Sequence, residues 1–443
     1  MSGDRVVPVQ NTKMLSRCHT SGWVLSLLIA GLTAHADFQG ATHMTPFDED
    51  IISYSKAKST GRVAKLQERM DKGEIELLRD DQFDYLLSVL EKLRVKKSSQ
   101  MLVFSKTSFQ RERIDPQHPR ALYFSDDVYV GFIPGSPLLE ITEVDPKLGA
   151  VFYTLDTSQP RPRFARNDQC LECHASSKTM GVPGHVLRSF ATDEKGVVDL
   201  NSGTSLVNHR TPIEERWGGW YVSGTHGDQT HRGNLIGKED FRRHEREPNF
   251  RGNITSLDSF FDPKPYPVPS SDVVALMVLE HQTHMQNFIT RLNYESTIAL
   301  QQYGHVRYLK SATEAFVKYL FFVEEAPMKS SVQGVSNFAR EFMAEGPRDK
   351  KGRSLRQLDL KTRLFQFPCS YVIYSDAFNS LPKAMKEKVY ARMFEILSGK
   401  ETSADYQKLL PETRRAILEI LLETKADLPR EWGQLQAGAV ISR

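Results

Sequence analysis

A chain of 443 residues can bury large cores and hold two or three domains, which excludes a minimal carrier. Its 40% hydrophobic and 26% charged content is that of an ordinary soluble protein, and no run of about 20 apolar residues is present to cross a bilayer. A formal charge of +3 gives no nucleic-acid footprint.

The first segment, residues 1–36, reads as an export signal. An apolar run at 23–32 follows Lys13 and Arg17 and precedes Ala34-His35-Ala36, a small-x-small site that would leave Asp37 as the new N-terminus. Counted from Met14 the signal has 23 residues, so Met14 is the expected start. The rival reading, a short buried helix or membrane anchor, meets an apolar core too short to span. Cys18 precedes the apolar run, so it is no lipidation site and is lost on cleavage. The expectation is a periplasmic or otherwise exported protein, cut between Ala36 and Asp37, with no transmembrane span afterwards.

Residues 37–155 are expected to hold helices followed by strands. After a polar stretch, helical patterns cover 62–72 and 81–95, the second placing Phe83, Leu86, Leu87, Leu90 and Leu93 at helical spacing. From residue 100 the pattern changes. Segments 101–104, 122–124, 128–133, 138–141 and 151–153 read as strands divided by Pro, Gly and Asp turns, which predicts an antiparallel sheet or small barrel.

Region 156–262 opens with Gln159-Pro160-Arg161-Pro162-Arg163, an extended lead into an expected loop at 164–169. Cys170-Leu171-Glu172-Cys173-His174 follows, and here spacing dictates chemistry. It matches the C-x-x-C-H pattern of covalent haem attachment, in which each sulfur can add to a porphyrin vinyl group and the adjacent imidazole can bind the iron. A shuffled chain with the same 4 Cys and 13 His would show it about 0.001 times. Zinc is a rival, but no second pair at finger-like spacing lies nearby and His185 would serve alone. A thioredoxin-like dithiol wants the motif opening a helix after a strand, where the sequence suggests a loop. A disulfide across two residues is strained. The mature chain would keep Cys170, Cys173 and Cys369, an odd count that fits two thiols used by haem and one buried structural thiol.

From 175 to 254 the chain is rich in Gly, Ser, Thr and His with little periodicity, which is uncommon unless such a stretch lines a site. Within it, Trp217-Gly218-Gly219-Trp220-Tyr221-Val222-Ser223-Gly224-Thr225-His226 could pack on a planar group or form an ordinary aromatic strand pair. Residues 263–271, with alternating prolines, predict a stiff linker. Ser271 or Asp272 then caps a helix over 273–302, and 272–443 is helical in pattern, including 312–323, 386–397 and 409–422.

A haem's second axial position takes His, Met or nothing. Met180, six residues on, has about 20 Å of extended chain, barely enough to round a porphyrin edge. His226 and His231 are the first distal candidates. His281 and His284 share a helix face and could ligate iron or, with Glu280, a second metal; a satisfied core histidine is the competing reading for each. Arg161, Arg163, Arg166, Arg188, Arg210 and Arg216 are available for propionates. The mixed run 242–247 suggests a solvent-facing helix or turn, and the basic loop 346–353 a docking patch or plain surface.

At residues 170–174 the sequence resembles a c-type cytochrome. The wider run, through Gly181-Val182-Pro183-Gly184-His185, Trp217-Gly218-Gly219-Trp220 and Glu280-His281-Gln282-Thr283-His284, is similar to a group of large exported bacterial monohaem proteins of unknown role. The resemblance implies one haem c, thioether links at Cys170 and Cys173, and His174 as proximal ligand. The chain lacks the Gly-Pro-Asn-Leu run and the clearly placed later Met of small cytochromes, which argues against their helical fold and against a Met sixth ligand. The expected architecture is α+β: N-terminal helices and antiparallel sheet, an irregular haem-binding segment, and a largely α-helical C-terminal region. Electron transfer with a redox partner protein is the leading function. A haem enzyme acting on a peroxide or nitrogen oxide through a distal His is the second, and a haem-based sensor or binding module the third.

Overall fold

The computed structural model describes residues 45–433; the expected export signal and its cleavage site lie outside them. The protein is α+β, with helices and an antiparallel sheet. Two helices come first, α1 (Arg62–Asp71) and α2 (Leu86–Lys92). The second is shorter than its periodicity predicts because Asp80 Oδ1 accepts the Gln82 and Phe83 amides, a turn that competes with the helix, and Asp84 has a φ of 49°.

Six strands follow as a meander: β1 (Met101–Val103), β2 (Arg120–Phe124), β3 (Val128–Phe132), β4 (Leu138–Asp145), β5 (Gly149–Asp156) and β6 (Phe164–Arg166). Alternation separates two cores. Ala121, Val130, Ile141 and Tyr153 pack with α1 and α2, whereas Phe124, Tyr129 and Val144 join a second core built around α5 (Val273–Tyr303). The segment predicted as loop before the motif is therefore partly strand, since Phe164 and Arg166 pair with Leu155 and Tyr153.

Between sheet and long helix run α3 (Leu171–His174), β7 (Arg188–Phe190), β8 (Thr204–Leu206), β9 (Gly224–Thr225) and the exposed α4 (Gly237–Arg246). Within the proline-rich segment Tyr266 is buried, with its hydroxyl on the Pro119 carbonyl at 2.7 Å. Asp272 caps α5 through the Val274 and Ala275 amides, and Gly304, at φ 71°, ends it.

Every residue from 273 to 294 is buried. A helix enclosed on all sides must satisfy its polar side chains internally, and these bonds tie α5 to both the sheet and the motif segment. Beyond it come α6 (Lys310–Leu320), β10 (Gln333–Gly334), α7 (Phe338–Ala344), α8 (Asp376–Asn379), α9 (Lys383–Leu397) and α10 (Pro411–Thr424). No helix among the described residues is long and apolar enough to cross a membrane.

Candidate functional site around Cys170, Cys173 and His174

The motif begins where the sheet ends. Arg166 closes β6 and donates to Asp168 Oδ1 at 2.9 Å, the Ala57 carbonyl at 2.8 Å and the Tyr54 carbonyl at 2.7 Å. This fixes the 3-10 turn Asp168–Cys170, from which the single turn α3 presents the rest. Cys170 is half-buried, Cys173 is exposed, and both are free thiols. Burial pushes the Cys170 thiol up to about 11, with the Glu140 carboxylate adding to it.

That value bears on the dithiol alternative. The motif does follow a strand and open a helix, so the loop objection to a thioredoxin-like centre falls. Chemistry replaces it, because a reactive dithiol needs a lowered thiol and a helix long enough to help, and here the thiol is raised on a helix of four residues.

His174 is held by a glycine ten residues further along the chain. Its Nδ1 lies 3.0 Å from the Gly184 carbonyl, and the Gly184 amide donates to the His174 carbonyl at 2.8 Å. A carbonyl can only accept, so Nδ1 carries the proton and Nε2 is left with its lone pair. Burial holds the imidazole below its ordinary value, which keeps it neutral and able to ligate.

Gly184 is set in turn by α5. Asn287 accepts from the His185 amide at 3.0 Å and donates to the His185 carbonyl at 2.6 Å, and a Cβ at Gly184 would run into the Asn287 amide. Arg291 donates to the Met180 carbonyl at 2.8 Å. Met180 itself is buried in the core.

His185 lies next to His174. It is buried, both ring nitrogens lack a partner, and its ring lies 6.4 Å from His174 and 4.2 Å from Tyr129. Burial drives it down to about 3. His185 follows directly on Gly184, the residue whose carbonyl holds the Nδ1 side of His174.

The four distal candidates fall into two other clusters. His226 and His231 face each other at 4.7 Å, with His231 against Trp217. His281 sits between His209 Nδ1 and Ser370 Oγ, each at 2.8 Å, while His284 packs on Tyr319 and Phe288. None makes a ring contact with His174, whose ring neighbours are Phe152 and His185. Glu280 is ion-paired with Arg216 and accepts from Trp217 Nε1 at 3.1 Å, and no group of three or more potential metal ligands occurs among the described residues. No family model, curated protein or solved structure matches the chain.

The glycines of the Trp-Gly-Gly-Trp segment face protein: a Cβ at Gly218 would strike the Phe190 carbonyl, and one at Gly219 the Ser105 side chain. Of the candidate arginines, Arg163 pairs with Asp71, Arg166 with Asp168 and Arg216 with Glu280, while Arg188 stacks over Phe190 at 4.3 Å. In the basic loop, Lys351 and Arg353 are paired with Glu419 of α10.

Proposed function

We propose that the chain is an exported c-type haem protein, with one haem c tethered through Cys170 and Cys173 and carried on His174, that exchanges single electrons with a redox partner protein. The observation that supports this most is the His174–Gly184 pair, which leaves a neutral imidazole with Nε2 unprotonated beside two free thiols on the same turn. The bound group would supply a reversible one-electron iron couple. The chain's own part is to orient the ligand: Gly184 fixes the tautomer, Asn287 fixes Gly184, and Arg166 fixes the turn that carries Cys170. In this reading residues 156–262 are the haem-binding segment.

A second reading draws support from the distal histidines. All four are buried in clusters apart from His174, which favours an iron with an open or displaceable sixth position and hence action on a small oxidant, or sensing of a small ligand. Material matured in cells that assemble c-type cytochromes should carry the mass of one haem and a Soret band. Low-spin iron indifferent to carbon monoxide would support electron transfer; high-spin iron that binds it would favour the second reading. A bare processed chain without the band would end both.

A further inference from the structure

Near the motif the sheet carries a polar group whose arrangement nothing above explains. Arg120 on β2 lies flat across Gly131 on β3 and is ion-paired with Glu140 on β4. The span exists because position 131 has no side chain: a Cβ there would stand 2.5 Å from Arg120 Nη2 and 2.8 Å from its Nε. Register puts Leu122 and Glu140 opposite Gly131, and Thr154 opposite Glu140. This row is two residues along from the row Tyr129, Thr142, Phe152, so it lies on the same face.

That face borders the motif. The Phe152 ring is 4.9 Å from His174, and the charges of Arg120 and Glu140 both act on the Cys170 thiol and the His174 imidazole. Glu140 is steadied from the other side by Gln110 Nε2 at 3.0 Å. Arg120 Nε is buried with no acceptor, so the guanidinium has donors to spare. Five N–H groups in a rigid plane suit a second carboxylate as well as the first.

We propose that the row Leu122, Gly131, Glu140, Thr154 is the floor against which the porphyrin lies, and that Arg120 is the partner of one of its carboxylates. The assignment rests on the haem reading given above. Gly131 is then required so that the guanidinium can lie flat across the strand and present its plane to the porphyrin edge. Glu140 holds Arg120 in place and tempers its charge.

The test uses the full chain matured with its haem, comparing Arg120→Gln, Glu140→Gln and Arg188→Gln with the wild type. Covalent haem is confirmed first by mass; its absence from the wild type would defeat the haem reading itself. With haem in place, Arg120→Gln should move the propionate bending mode in the resonance Raman spectrum. It should also shift the reduction equilibrium about tenfold toward the ferric state, because a positive charge near the iron favours the reduced form. Glu140→Gln should shift that equilibrium the opposite way. A haem-loaded Arg120→Gln protein with wild-type mode and midpoint potential overturns the assignment, as does a mode that moves only in Arg188→Gln. Should Arg120→Gln fail to mature, Glu140→Gln decides alone: an unchanged potential there also overturns it.

Discussion

At the scale of single residues, the motif divides into parts that spacing announces and parts that it hides. Cys170, Cys173 and His174 stand out because two thiols and an imidazole at that interval match the haem-attachment pattern. Replacing either cysteine by alanine should leave haem on the remaining thioether, and replacing both should leave none on a denaturing gel stained for haem peroxidase activity. Gly184, Asn287 and Arg120 are silent in the sequence. Gly184 acts through a main-chain carbonyl that any residue possesses, and Asn287 acts from 102 positions away. Asn287→Leu should be costly, since it strands the buried amide and carbonyl of His185; a loss of about 2–3 kcal/mol is expected in urea denaturation. The four distal candidates, none in ring contact with His174, show a related limit of the sequence. A histidine in a helix or turn looks the same whether it faces iron or, like His281, a neighbouring His209 and Ser370.

At the scale of elements, periodicity carried well where it was long. The helices around 273–302, 312–323, 386–397 and 409–422 are present as α5, α6, α9 and α10, and the five predicted strands are β1 to β5. Short elements escaped. Strand β6 has three residues after a proline-rich lead, and nothing local distinguishes it from a loop; pairing with β5 makes it a strand. Strand β2 runs from Arg120, two residues earlier than its apolar stretch, and those two residues are what bring the guanidinium over Gly131. The start of α5 offers a direct test of local design. Asp272 gives one oxygen to the Val274 and Ala275 amides and the other to the amide and hydroxyl of Ser336. Asp272→Ala should therefore lower stability by about 2 kcal/mol, at the upper end for a helix cap, without altering the haem spectrum.

For the whole molecule, the decisive feature is how much ionisable chemistry is enclosed around α5. His231, His281 and His284 are each pushed down to about 3 by burial, with neighbouring histidines or Arg210 adding to it. Unfolded, each would titrate near 6.5, so below that pH the unfolded chain binds more protons than the native one. Their contribution to stability is complete above pH 6.5 and is lost as pH falls toward 3. Three such groups give a slope of at most about 4 kcal/mol per pH unit. Denaturation midpoints in urea should fall steeply between pH 6 and pH 4, and substituting His281 by Gln should flatten the profile. The same helix has a bearing on timing. The clamps on the 174–185 segment, Asn287 and Arg291, lie 102 and 111 positions downstream of the backbone groups they hold. Until that later stretch has been synthesised and docked, the segment that holds the His174 ring in place has no partner, so this imidazole is fixed only late in the chain's manufacture.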